Sequence, residues 1–248
     1  MYKLILILIT VMFFFILINT YKLNTNKLNQ TFNNKYNLYC FWTGNNKMSK
    51  DRKRCFYSLK NSGLNVILIT PKNLNKYLSV PLHPAYKYLS ETHKADYLRC
   101  YFMHFHGGAY SDIKYTTKSW VKSFKLLEKN KNAYANGYRE HKNGVAKIND
   151  NKLYQDNFYK LIGNGGYIFK ANTPLTRKWY IKMIEKMDSI HEKIKKYPSK
   201  SPQQVYSKEY PYPLEWSELL GNIFHPIVYE YHENLLYTVP KYKKSAYR

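Results

Sequence analysis

The side chains best suited to chemistry lie close together between Thr92 and Lys114. In Ala95-Asp96-Tyr97-Leu98-Arg99 a carboxylate and a guanidinium are three residues apart, so a helix sets them side by side, and the plainest reading is a helix-surface ion pair. Gly107-Gly108 stops that helix, and Ala109 to Tyr115 is then short and extended. Alternation along an extended chain sends Tyr110, Asp112 and Lys114 to one side and Ser111 and Ile113 to the other. A carboxylate at a strand end beside paired glycines can reach a sugar-nucleotide at close backbone approach.

Other chemistry-bearing stretches are weaker. Gly163-Asn164-Gly165-Gly166 reads as a tight turn into the strand Tyr167-Ile168-Phe169, a place for φ > 0, and it matches neither G-x-G-x-x-G nor a P-loop. Pro213 to Pro226 gathers Glu215, Trp216, Glu218, Asn222 and His225 at a helix-to-loop transition, where a single His is by itself a structural residue. Cys40, Cys55 and Cys100 lack metal-ligand spacing and allow at most one bridge, with Cys100 reading as a buried thiol inside a helix.

Positioning these residues calls for an α/β domain. Leu38 to Trp42 is an apolar strand ending at Thr43-Gly44, and Ser49 can cap a helix from Lys50 to Ser62 that Gly63 stops. Asn65 to Thr70 reads as a strand buried on both faces. Strand, helix and strand in that order indicate a parallel sheet, whose ligand-binding edge lies at the strand C-termini, where Trp42 to Gly44 falls. Ala95, Leu98, Phe102 and Phe105 form the apolar face of the next helix. Trp120 to Lys129 is helical, Ala133 to Tyr138 a strand, and Pro174 opens a long helix to Tyr197 with Ile181, Ile184, Met187, Ile190 and Ile194 as its buried stripe.

Residues 1–21 are expected to be a membrane anchor, because Leu4 to Ile18 is uncharged and apolar and lacks the small residues of a signal-peptide cleavage site. Residues 22–36 are a polar stem with one glycosylation sequon at Asn29, and residues 37–248 are the α/β domain. The chain has 40 Lys and Arg against 16 Asp and Glu, a formal net charge of +24, and 44% hydrophobic residues, which excludes a wholly disordered chain. Only six of the basic residues are Arg, the lysines are dispersed, and Lys, Asn, Ile and Tyr share A/T-rich codons. No nucleic-acid partner is therefore expected, since no reading motif accompanies the charge.

The run Ala95-Asp96-Tyr97-Leu98-Arg99 followed by Phe105-His106-Gly107-Gly108-Ala109-Tyr110-Ser111-Asp112 resembles the signature of the DXD-containing sugar transferases. That group includes yeast-type initiating mannosyltransferases, capsular polysaccharide transferases and the glucosylating domain of large clostridial toxins. The resemblance covers Leu38 to Trp120 and implies a GT-A fold with a Rossmann-like, mainly parallel sheet. It also implies a nucleotide-sugar donor, transfer with retention to a glycan, lipid or protein acceptor, and Mn²⁺ or another divalent cation. By position, Trp42 would lie near the base, Asp96 and Arg99 would hold sugar hydroxyls beside Tyr110, and Asp112 would touch ribose and donor sugar and serve as metal ligand. Asn164, Gly165, Trp216, Asn222 and His225 would form the acceptor or diphosphate region. With an N-terminal anchor, a eukaryotic cell would place the domain in the lumen of the Golgi or endoplasmic reticulum.

Lys114 stands where the group has its second, metal-binding Asp, which removes an anionic oxygen ligand suited to a hard cation. Three readings follow from that departure. The Lys114 ammonium stabilises the leaving diphosphate directly. Alternatively, a metal is held by Asp112 with Glu215, Glu218, Asn222 or His225. In the third reading the chain is an inactive carbohydrate-binding or structural protein on the same fold.

Overall fold

The computed structural model describes residues 36–148 and 151–242. The expected anchor, the Asn29 sequon and all of the stem but Tyr36 lie outside the described residues; among those described, no helix is long and apolar enough to cross a membrane.

Strand β1 (Asn37–Phe41), helix α1 (Lys50–Ser58) and strand β2 (Asn65–Ile69) form a strand–helix–strand unit with β1 and β2 parallel. Ser49 Oγ accepts the Arg52 N–H, and a 3-10 turn extends α1 to Gly63 in the left-handed region at φ 71°. Helix α2 (Glu91–Phe105) starts at Ser90, whose hydroxyl accepts the His93 N–H. It ends at Gly107 and Gly108, with φ of 64° and 83°. A Cβ on Gly107 would stand 2.7 Å from the Ala171 backbone nitrogen, so conformation and space both demand glycine there. Strand β3 (Gly108–Ser111) follows directly and pairs parallel with β1. Then come α3 (Val121–Lys129), β4 (Ala135–Arg139), the short α4 (Asn151–Asp156), β5 (Ile162–Phe169), α5 (Pro174–Lys196), α6 (Gly221–Glu230) and β6 (Leu235–Leu236).

The sheet has the order β2-β1-β3-β5-β4-β6, with β3–β5 and β5–β4 antiparallel and the other neighbours parallel. The chain leaves β1 for β2 on one side and returns for β3 on the other. The C-terminal ends of β1 and β3 therefore border a reversal of strand order, where open α/β sheets leave a crevice. Asp112 immediately follows β3 at that edge.

Several expectations need correcting. Strand β2 is half-exposed because it is the sheet edge. Helix α2 has no single apolar face; from Asp96 to Phe105 every residue is buried, since α5 covers the side away from the sheet, with Tyr180 5.1 Å from the Phe105 ring. Asp96 and Arg99 are thus interior and not a surface pair. Gly163 to Gly166 is no turn but the middle of β5, with none of its glycines at positive φ. Added Cβ atoms would meet the Tyr138 ring at 2.0 Å from Gly163 and Trp120 at 2.8 Å from Gly166, so these glycines admit neighbouring rings. On α5 Met187, Ile190 and Ile194 are buried as expected and Ile184 is half-buried, but toward the N-terminus the stripe runs through Met183 and Trp179, and Ile181 between them points outward. Within Pro213 to Pro226 the chain turns as far as Leu220 and enters α6 at Gly221, with Pro226 inside that helix, so the order is turn to helix and not helix to loop. Cys40, Cys55 and Cys100 are all buried, and none of them forms a disulfide among the described residues.

Buried imidazoles set the acid stability of the domain. Burial holds His93, His104 and His225 down to about 4 from 6.5. The unfolded chain takes up these protons as the pH falls through 6.5, whereas the fold refuses them until about 4. Their stabilisation is thus full above 6.5 and lost toward 4. Asp96, pushed up to about 6 by burial, works the other way and offsets one of the three. His106, also held down by burial, adds to the uptake. At least about two protons are thus taken up on unfolding, which predicts a loss of about 3 kcal/mol or more per pH unit around pH 5, measurable as urea-unfolding free energy; a flat profile from pH 7 to 5 would refute it.

Candidate functional site

After Ser111 the chain leaves β3 and turns, the Lys114 N–H donating to the Asp112 carbonyl at 2.7 Å. The expected extended run to Tyr115 is therefore shorter. The turn still keeps Tyr110, Asp112 and Lys114 on one side while Ile113 faces the core. Opposite them runs β5, antiparallel, and the Gly165 carbonyl accepts the Asp112 N–H at 2.9 Å.

Four ionised side chains alternate in sign across this edge. Asp96 Oδ1 lies 2.9 Å from Arg99 Nη2, Arg99 Nη1 lies 3.7 Å from Asp112 Oδ1, and Lys114 Nζ lies 2.8 Å from Asp112 Oδ2. Side-chain exposure rises from 2% at Asp96 and 9% at Arg99 to 22% at Asp112 and 16% at Lys114, so the row opens to solvent at its Asp112–Lys114 end. Arg99 is fixed further by donating to the Asn164 carbonyl at 3.0 Å and by lying 4.7 Å from the centre of the Tyr110 ring. Tyr110 OH donates to Asp112 Oδ1 at 2.6 Å.

The charges set the protonation states. Burial alone would raise the Asp112 carboxyl, but Lys114, Arg99 and the two hydrogen bonds outweigh it and hold it below the ordinary carboxylate range. At Asp96 burial wins over Arg99. Lys114 is penalised by burial yet raised above the usual lysine value by Asp112 and Tyr242. At neutral pH the solvent end thus pairs a carboxylate acceptor with an ammonium donor. Deeper in, Arg99 Nε and Tyr167 OH are buried with no hydrogen-bond partner among the described residues, and Asp96 Oδ1 has only its ion pair. Such unmet groups cost about 1–3 kcal/mol each and mark places where a polar ligand is gained at low cost.

A divalent cation does not fit this donor set. Both Asp112 oxygens are engaged, by Tyr110 and by Lys114, and the nearest further charge is the Arg99 guanidinium. Glu218 pairs with Lys186 at 2.8 Å and accepts the Glu215 N–H, and no three His, Cys, Asp or Glu side chains gather at metal-holding distance among the described residues. His225 is fully buried: the Ala146 N–H donates to Nδ1, so Nε2 carries the proton of the neutral ring, and the Asn164 amide 3.1 Å away accepts it once turned over to present its oxygen, which otherwise lacks a partner among the described residues.

The remaining expected residues sit as follows. Trp42, at the end of β1, donates its indole N–H to the Asn46 carbonyl at 2.7 Å and is half-buried against the core. The Gly165 N–H is taken by Tyr138 OH at 3.1 Å. Asn222 accepts from Ser217 Oγ at 2.8 Å and closes the turn into α6, while Trp216 on that turn is exposed. Two residues that spacing did not single out belong to the cluster. Tyr242 accepts from Lys114 Nζ at 3.1 Å with its ring centre 4.2 Å from the ammonium, and Tyr138 meets the Tyr242 ring edge-on at 5.8 Å.

Arg99 bridges Asp96, Asp112 and the Asn164 carbonyl with one planar fork, which a lysine cannot span. If Arg99 holds donor hydroxyls, as the resemblance implies, Arg99→Lys should weaken donor binding and turnover together by about 30- to 100-fold, roughly 2–3 kcal/mol. Intact donor affinity and turnover in Arg99→Lys, with only stability lost in Arg99→Ala, would reduce Arg99 to a packing role.

The family model described as capsular polysaccharide synthesis protein matches residues 14–159, a span that holds Trp42, Asp96, Arg99, Tyr110, Asp112 and Lys114. No curated protein matches the sequence. With more than half of its length matched, and with the charged row inside the matched part, the chain belongs to the capsular polysaccharide synthesis protein family.

Proposed function

We propose that the chain is a membrane-anchored glycosyltransferase of GT-A type that moves a sugar from a nucleotide-activated donor to a glycan, lipid or protein acceptor with retention. The observation carrying this reading is the row Asp96–Arg99–Asp112–Lys114 at the C-terminal edge of the sheet, with unmet polar atoms beside it. Sugars present many hydroxyls that both donate and accept, and a buried row of alternating acceptors and donors matches that chemistry. In the reaction the bond from C1 to the diphosphate oxygen breaks with its electron pair, the acceptor oxygen bonds C1, and the hydroxyl proton leaves to the diphosphate or solvent. Asp112 orients the donor, and Lys114 faces the negative charge that grows on the leaving diphosphate.

The test is a panel of nucleotide sugars with the full chain, with and without Mn²⁺, reading hydrolysis and protection from thermal unfolding together. One donor giving both supports a transferase. Protection without turnover at any donor supports the second reading, a non-catalytic carbohydrate-binding protein, which Lys114 at the position of the second motif Asp favours.

Anchoring is the other half of the proposal and rests on the uncharged run Leu4 to Ile18. The chain should stay in the membrane pellet through a carbonate wash; recovery of a soluble chain beginning near Tyr21 would show a cleaved signal peptide instead.

A further inference from the structure

The basic excess of this chain is not spread evenly over its ion pairs. On α5, Lys182 pairs with Glu185 at 2.7 Å, Lys186 with Glu218 at 2.8 Å, and Lys178 with Glu230. On α3 the exposed residues are Lys122, Lys125, Leu126, Glu128 and Lys129. The three lysines fall at spacings of three and four, which is one helical face, and Lys118 and Lys131 continue it at either end. None of these five has a carboxylate at ion-pair distance among the described residues. The one acid on α3, Glu128, is occupied by the Tyr36 hydroxyl at 2.7 Å; the next, Glu233, is on the turn where Asn234 bonds the Asn132 carbonyl.

We propose that this face of α3 docks on the anionic headgroups of a phospholipid bilayer, an inference that goes beyond sugar transfer and rests, for the choice of a bilayer, on the anchoring proposed above. Unpaired lysines around the exposed Leu126 supply charge complementarity to lipid phosphate and an apolar side chain for the headgroup–acyl boundary. Lysine stems reach along such a boundary while their ammonium groups stay at the phosphates. A bilayer is favoured over a soluble polyanion because Tyr36 stacks on Phe124 of α3 at 4.2 Å, and the sequence just before Tyr36 leads back to the apolar run Leu4 to Ile18.

The experiment reconstitutes the full chain into phosphatidylcholine vesicles with or without phosphatidylglycerol and reads amine acylation at each lysine by mass spectrometry. Lys122, Lys125 and Lys129 are expected to react about fivefold more slowly in the anionic vesicles, the factor for a lysine held at an anionic surface, while Lys182 reacts alike in both. High salt should abolish the difference, because exposed charges are screened. Lys122→Glu, Lys125→Glu and Lys129→Glu together should also unprotect Lys118 and Lys131, with an unchanged unfolding temperature showing that the fold is kept. Equal reactivity in the two vesicle types overturns the proposal. So does equal protection by dextran sulfate added to neutral vesicles, which would assign the face to a soluble polyanion.

Discussion

Asp112→Asn should lower kcat/KM for sugar transfer by about 10³-fold, or roughly 4 kcal/mol of transition-state stabilisation. The substitution keeps the shape and removes the charge on which the row depends. Among the described residues Asp112 is the only carboxylate between the Arg99 and Lys114 cations, and it accepts the Tyr110 hydroxyl, so its neutralisation puts an uncharged amide beside the Lys114 ammonium and leaves Arg99 with Asp96 alone. Buried cations without their counter-ion are destabilising, so the unfolding temperature should fall as well. Thermal protection by the nucleotide sugar separates the two effects, since a variant merely less stable would still be protected by the same increment. Transfer surviving within about threefold, under 1 kcal/mol in barrier, would leave Asp112 as a turn carboxylate and the proposed chemistry without its centre.

How far the sequence could be read follows from which features are local. The cap at Ser49, the stops at Gly63 and Gly107, and the three-residue spacing of Asp96 and Arg99 all act within one helical turn, and each is found in place. What spacing could not supply was depth. Arg99, with Asp96 paired to it, is interior because β5 brings the Asn164 carbonyl onto it from 65 residues further along the chain. The glycine run of β5 failed for the same reason: glycine serves equally for positive φ and for bare space, and only the distant Tyr138 and Trp120 rings decide which. Tyr242 had no signal at all, since it is one tyrosine among 27, and its partner Lys114 is 128 residues away.

Transfer by the wild-type chain should persist in EDTA, and Lys114→Ala should lower it by about 10²- to 10³-fold, the range for removing one group aimed at developing charge. The family resemblance puts a metal-binding Asp at this position, whereas here an ammonium sits 2.8 Å from Asp112 and is held by Tyr242 as well. Wherever Asp112 touches the donor, Lys114 is one side chain away from the diphosphate. A lysine acts there as a point charge and needs no cage of several oxygen ligands. Its raised affinity for a proton keeps it charged through the neutral range, so the EDTA-resistant rate should show no loss assignable to Lys114 up to pH 9. Lys114→Asp is the sharper variant: it restores two carboxylates on one side of the turn and should be inactive in EDTA but partly rescued across a Mn²⁺ titration. Complete loss of wild-type activity in EDTA, restored by micromolar Mn²⁺, would overturn the assignment, because a cation would then have to be bound by groups other than the Asp112–Lys114 pair.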